Sequence, residues 1–159
     1  MRWAEQGDSS SIVEMLERVD ELFFPPLSKR RVSISDRVKE VMNDDNSNYL
    51  LFEEGSVPIA VAGYTIGKGG REGAYMNMLC VLHQFQKKGI GSRLLDEFEG
   101  VLSGMGVDSV WACTWSTNTR ALALYTERGY SLERVIEHHR AKNVHTVVLS
   151  KQLGADGDV

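Results

Sequence analysis

The segment Gln86-Lys87-Lys88-Gly89-Ile90-Gly91-Ser92 has the residue types of a phosphate site. Before it, Ala74 to Leu82 reads A-Y-M-N-M-L-C-V-L, an uncharged run rich in aromatic and branched residues that predicts a buried strand. After it, Ile90, Leu94, Leu95, Phe98, Val101 and Leu102 recur at helical spacing and predict one apolar helix face. The glycines therefore fall where a strand turns into a helix. A helix begins with unpaired N–H groups and a partial positive charge, which favour an anion. Gly89 and Gly91 have no Cβ to block a close approach, and Lys87 and Lys88 add positive charge at the same mouth.

Two other phosphate loops fail here. No Lys-Ser or Lys-Thr pair follows a glycine at P-loop spacing. Leu94 stands where the dinucleotide fingerprint needs its third glycine. The remaining pattern is Q-x-x-G-x-G. A second pattern lies in Val110 to Tyr130, which divides into a strand, a helix start near Ser116 or Thr117, and a helix closed by Gly129. Asn118, Ala121, Leu122 and Tyr125 share one face of that helix.

These two patterns, in this order, resemble motif A ([QR]-x-x-G-x-[GA]) and motif B (N-x-x-A-x-x-x-Y-x-x-x-G-[FY]) of the GNAT superfamily of N-acetyltransferases. The resemblance implies transfer of an acetyl group from acetyl-CoA, the cosubstrate, to an amine by direct attack. The acceptor would be a peptide N-terminus, a lysine or a small-molecule amine. It also implies a bulge that splays the strand before the loop from its neighbour. Main-chain groups of Leu79, Cys80 and Val81 would then bond the pantetheine arm and polarise the thioester carbonyl, while Gln86, Lys87, Lys88, Gly89, Ile90, Gly91 and Ser92 would hold the pyrophosphate. Tyr125 matches the family's proton donor, although a tyrosine on an apolar helix face also serves as core. Asn118 would bond the cofactor arm or the sheet backbone; its residue type equally suits a helix cap.

The general base is not legible. Ala74 to Val81 contains no acid, so Glu72 at its entrance and His83 at its exit are the nearest candidates, beside a water relay. His83 also replaces a proline common in the family, which reads as a neutral variation or as a catalytic histidine. The missing acid keeps a second function open, a degenerate domain of this family that binds coenzyme A or a partner protein without catalysis.

The elements that would position these residues form an α/β (α+β) chain. The GNAT-like fold implied is a central mixed, mostly antiparallel sheet of six to seven strands flanked by about four helices. Arg2 to Ala4 predicts a first strand, and Asp8 or a following serine could cap a helix carrying Ile12, Val13, Leu16 and Val19. A shorter helix is expected over Ser35 to Met42, then a hairpin from Tyr49 to Phe52 and Pro58 to Ile66 about Glu54-Gly55. Gly67 to Gly73 would turn into the strand before the loop, and Tyr130 to His138 with His145 to Leu149 would close the sheet. Residues 1–153 read as one domain and 154–159 as a loose tail.

Composition narrows the alternatives. With 159 residues, 42% hydrophobic and 25% charged, the chain suits one globular core. No apolar run approaches the roughly 20 residues of a membrane span. The start M-R-W-A-E-Q-G-D lacks a signal-peptide core, so a cytoplasmic protein is expected. A net charge of -4 argues against a nucleic-acid partner, and Lys29-Arg30-Arg31 reads as a solvated charge run. Cys80 and Cys113 read as reduced core residues, with a disulfide across neighbouring strands as the alternative. His138, His139 and His145 lack a second cluster of ligands, so no metal site is expected. Phe23, Phe24, Pro25, Pro26 and Leu27 could wall an acceptor site or plug the core. Homodimers are common in the family, and no residue here decides the matter.

Overall fold

The computed structural model describes residues 1–154. Its elements run β1 (Arg2–Trp3), α1 (Ser9–Arg18), α2 (Ile34–Met42), β2 (Ser47–Glu54), β3 (Val57–Ile66), β4 (Ala74–Val81), α3 (Ile90–Gly104), β5 (Ser109–Trp115), α4 (Thr119–Glu127), β6 (Ser131–Ala141) and β7 (Val144–Gln152). The strands form one seven-stranded sheet in the order β1-β2-β3-β4-β5-β7-β6. Every neighbouring pair is antiparallel except β4 and β5. This is the mixed, mostly antiparallel arrangement expected. Of the tail expected from 154, residues 155–159 lie outside the described residues.

Strand alternation places apolar side chains on both faces of the sheet. Leu50 of β2 and Ala60, Ala62 and Tyr64 of β3 join Leu94, Leu95, Phe98 and Leu102 of α3 in one core. Tyr49 and Leu51 of β2 and Ile59 and Val61 of β3 join Ile12, Met15 and Leu16 of α1 and Val38 and Val41 of α2 in the other. Each such side chain, once fully buried, is worth about 1.5–3 kcal/mol against exposure, so both helix layers are held by their apolar stripes.

β4 breaks the alternation. Ala74 and Met76 belong to the core under α3, whereas Met78 and Cys80 belong to the core under α1 and α2. Residues two apart keep one face unless a residue is inserted between them. The register shows the insertion: Tyr64 pairs with Met76 and Gly63 with Met78, leaving Asn77 as a bulge. Gly63 makes room for it. A Cβ at Gly63 would lie 2.2 Å from Asn77 Oδ1 and 2.7 Å from Tyr49 Cδ1. Asn77 Nδ2 donates to Thr65 Oγ1 at 3.0 Å, which fixes the bulged side chain.

Helix starts differ in detail from the expectation. Asp8 precedes α1 but does not cap it; its carboxylate accepts two bonds from Arg2 at 2.8 Å and one from the Glu5 N–H at 2.7 Å. α2 begins at Ile34, with Ser33 Oγ accepting from the Asp36 N–H at 3.0 Å. α4 is capped by Asn118 rather than by Ser116 or Thr117. It closes at Gly129, whose φ of 84° is the left-handed conformation glycine adopts readily. No helix among the described residues is long and apolar enough to cross a membrane.

Candidate functional site

β4 and β5 touch only at their starts, where Ala74, Tyr75 and Met76 pair with Val110, Trp111 and Ala112. The Asn77 bulge follows at once, and from Cys113 onward β5 bonds β7 alone. Between the parted strands lies a cavity of about 580 Å³. Its walls include Asn77 to Val81 on one side and Cys113, Thr114, Trp115, Asn118 and Tyr125 on the other.

The pleat decides which main-chain groups face the gap. The Leu82 N–H donates to the Ile59 carbonyl at 2.8 Å, and the β3–β4 register is regular from Gly63–Met78 to Ala60–Val81. Period-two geometry therefore turns the main chain of Cys80 toward β3 and that of Leu79 and Val81 toward the gap. Cys80, grouped with those two from the sequence, borders the cavity, but its main-chain groups are committed to the sheet. Burial pushes its thiol up to about 12. Both cysteines are free thiols.

At the end of the cavity stands the glycine loop. Lys87 and Gly89 take left-handed dihedrals, with φ of 60° and 75°, in a curl that gathers N–H groups on a concave side. Among the described residues, the N–H groups of Lys87, Lys88, Gly89, Ile90, Gly91 and Ser92 have no acceptor, and no side chain caps α3. A Cβ at Gly91 would lie 3.7 Å from Val81 Cγ2 and 4.0 Å from Leu124 Cδ2, so the first turn of α3 sits between β4 and α4. Gln86, Lys87, Gly89, Ile90, Gly91 and Ser92 line the cavity. Lys88 does not; its Nζ lies 5.5 Å from the Phe85 ring centroid.

Gln86 is a strut rather than a free ligand. Its Nε2 donates to the Val81 carbonyl at 3.0 Å, and its Oε1 accepts from Arg120 Nη1. Arg120, unmarked by any motif, thereby brings a cation from α4 to the loop. Asn118 Oδ1 accepts from the Ala121 N–H at 3.2 Å and its Nδ2 donates to Thr114 Oγ1 at 3.0 Å, so it caps α4 and ties it to β5. Tyr125 is 6% exposed, and its hydroxyl donates to Met76 Sδ at 3.6 Å. Burial raises its pKa, with the Tyr75 hydroxyl and Cys113 thiol adding to the effect.

Neither sequence candidate for the base reaches the cavity wall. Glu72 is exposed in the turn before β4, and His83 is exposed at the start of the short turn His83–Phe85. Among the described residues, no Asp or Glu lines the cavity.

Leu22, Phe23, Arg30, Tyr75, Trp115 and Arg140 also line the cavity. Phe23 packs on Trp115 with ring centroids 6.3 Å apart. Leu27 instead plugs the core under α1 and α2, and Phe24 is 36% exposed. Arg30, read from the sequence as part of a solvated run, turns inward, whereas Lys29 and Arg31 stay exposed. His138, His139 and His145 spend their Nδ1 atoms within the β6–β7 hairpin, on the Asn143 N–H, Thr146 Oγ1 and the His138 N–H respectively.

Residues 12–130 match the acetyltransferase (GNAT) family. No curated protein matches the chain in sequence. Among solved structures, yncA from Salmonella typhimurium, with its cofactor acetyl-CoA, superposes with a TM-score of 0.80 at 18% identity, covering 99% of this chain and 95% of that one. The ribosomal-protein-S18-alanine N-acetyltransferase from Escherichia coli gives 0.79 at 15% identity, over 99% of this chain and 95% of that one. An aminoglycoside 6'-N-acetyltransferase complexed with coenzyme A gives 0.77 at 15% identity, over 99% of this chain and 100% of that one. At these identities the likeness is one of fold. The sequence match, by contrast, runs from within α1 through the glycine loop to the end of α4, and this chain belongs to the acetyltransferase (GNAT) family.

Proposed function

We propose that the protein is an N-acetyltransferase that uses acetyl-CoA as cosubstrate and a peptide N-terminus, a lysine or a small-molecule amine as acceptor. The observation that carries this reading is the parting of β4 from β5 at Asn77, which leaves main-chain groups of Leu79 and Val81 facing a cavity. Residues 1–153 would work as one domain, closed by Leu153, whose N–H donates to the Asp108 carbonyl at 2.7 Å. Two free thiols suit the reducing cytoplasm.

The cavity fits acetyl-CoA on the chemistry of its donors. Six successive N–H groups from Lys87 to Ser92 without acceptors, beside Arg120, suit a pyrophosphate at a helix N-terminus. Leu79, and the N–H of Val81, whose carbonyl accepts from Gln86, can pair with the amides of a pantetheine arm as a neighbouring strand would. The bound cosubstrate supplies an acetyl group activated as a thioester. The Leu79 or Val81 N–H, fixed in the sheet, would donate to the carbonyl oxygen as charge develops on it, a term that can supply several kcal/mol. Attack by the amine forms the C–N bond and breaks the C–S bond. Tyr125, kept protonated by burial, would pass its proton to the departing sulfur. With no carboxylate on the wall among the described residues, the amine proton would leave through water.

The missing carboxylate also favours a second reading, a domain that binds coenzyme A without catalysis. Calorimetric titration with acetyl-CoA, repeated with Gly89→Glu, tests what both readings share. Micromolar binding that the variant abolishes is expected, because the new side chain is strained at φ 75° and adds negative charge to the cradle. Absence of binding by folded wild type would overturn both. Release of free coenzyme A thiol with an amine panel separates them: turnover supports the enzyme, and binding without turnover of any amine supports the second reading.

A further inference from the structure

We propose that the acceptor amine carries an anionic group, a carboxylate or phosphate, held by the guanidinium groups of Arg30 and Arg140. This rests on the acetyltransferase reading and adds the substrate class.

The two arginines come from distant parts of the chain and converge on one loop. Arg30 Nε donates to the Pro25 carbonyl at 3.1 Å, while Arg140 Nη1 donates to the neighbouring Phe24 carbonyl at 2.7 Å and its Nε to Thr146 Oγ1 at 3.1 Å. Arg30 lies 5.8 Å from the Phe23 ring centroid and Arg140 5.6 Å from that of Trp115. Arg30 is thus tied through its Nε, and Arg140 through its Nε and one Nη. Both Nη donors of Arg30, which form one edge of its guanidinium, and the single Nη2 of Arg140 have no protein partner among the described residues. A guanidinium edge of this kind matches the paired oxygens of a carboxylate or phosphate.

Charge balance points the same way. Neither arginine forms an ion pair among the described residues, and the cavity has no acidic side chain. The carboxylate whose field reaches Arg30, Asp20, is occupied by the Ser28 N–H at 2.8 Å and the Ser28 hydroxyl. Burial first, then repulsion from Arg37 and Arg140, lowers Arg30 to about 10. Arg37 has a buried Nε with no partner, in an adjoining cavity that shares Tyr75 and Asn77 and is also lined by Glu40 and Asp44, so the uncompensated charge is that of Arg30 and Arg140. Desolvated like charges without a counter-ion are costly, and an anionic ligand would relieve that cost. The same field would repel polyamines and other polycations.

The test pairs amines that differ by the anion, with each kcat/KM expressed per unprotonated amine: methionine against methionine amide, and phosphoethanolamine against ethanolamine, with spermidine as the polycation, all at saturating acetyl-CoA. We expect kcat/KM to be about 10- to 100-fold higher for the anionic member of one pair, the scale of hydrogen bonds to a charged group. The favoured pair distinguishes carboxylate from phosphate. Arg30→Met and Arg140→Met should bring the anionic-to-neutral ratio toward one through KM, and Arg30→Lys, which keeps the charge but not the fork, should restore part of it. Thermal melts identify any variant that fails to fold, and the amine comparison on wild type stands without them. Equal or better turnover of the neutral amines or of spermidine would overturn the proposal while leaving the acetyltransferase reading intact. If acetyl-CoA binds but no amine reacts, the acetyltransferase reading fails. Titration of the coenzyme A-loaded protein with methionine, its amide and phosphoethanolamine then decides this proposal: binding of an anionic member alone supports it, and equal or absent binding overturns it.

Discussion

The Tyr125 hydroxyl meets the Sδ of Met76 at 3.6 Å, and Met76 is the last residue of β4 paired with β5. The phenol is thus aimed at the point where the strands part. A thioether is a weak acceptor, so this proton is not committed to a strong partner. A phenol, with a reference pKa of about 10, keeps its proton at neutral pH, and burial raises that pKa further.

Tyr125→Phe removes the proton and keeps the ring that packs on Tyr130, 5.2 Å between centroids. Turnover should fall about 100-fold, within the usual range for a lost acid catalyst. Acetyl-CoA affinity and melting temperature should change little. Single-turnover kinetics with chemistry rate-limiting checks this; an unchanged rate would rule out the proton-donor role.

Gly63→Ala places a methyl group 2.2 Å from Asn77 Oδ1 and 2.7 Å from the fully buried ring of Tyr49. Overpacking of this kind costs about 1–3 kcal/mol. The clash falls on the bulge, so acetyl-CoA affinity should fall together with the denaturant midpoint. Retained affinity in a destabilised variant would mean that the cleft does not depend on this side-chain arrangement.

Asn118→Ala should cost about 1 kcal/mol, as for other lost helix caps. Asn118→Asp keeps an acceptor for the Ala121 N–H but loses the amide donor that Thr114 Oγ1 now receives. It should therefore recover most of the stability. Urea unfolding of the three proteins orders them; an alanine variant as stable as wild type would contradict the capping role.

Asp8 supplies a pH dependence. The Arg2 guanidinium first, then the Glu5 N–H, holds its carboxyl down from 3.8 to about 2. A folded-state value below the unfolded one contributes stability that is fully present above about pH 4 and lost as pH falls toward 2. The effect is small, because an exposed pair is screened by solvent and salt. Asp8→Asn should be slightly less stable than wild type at pH 6, and the gap should close near pH 2. Parallel melting curves across that range would refute the assignment.

Much of the lining of the candidate site is legible in the sequence because its signals are local. Gln86, Gly89 and Gly91 lie within one turn of chain, and Asn118, Ala121 and Tyr125 are related by helical spacing. Glu72 and His83 were the base candidates nearest in sequence, yet both are exposed off the cavity wall. Proximity along the chain does not set direction when a turn intervenes. Arg120 carried no periodic or motif signal, and Arg30 looked like one member of a charge run.

From the sequence alone follow the order of strands and helices, the strand-to-helix glycine loop and the tyrosine helix, all written in spacing between near neighbours. The tertiary structure decided the rest. The bulge at Asn77 exists because Gly63, on another strand, leaves room for its side chain. Arg30 and Arg140 line one cavity because the β6–β7 hairpin packs against the loop after α1, where both arginines bond adjacent carbonyls. Such contacts join residues far apart in the chain, and only packing of the whole sheet with its helices brings them together.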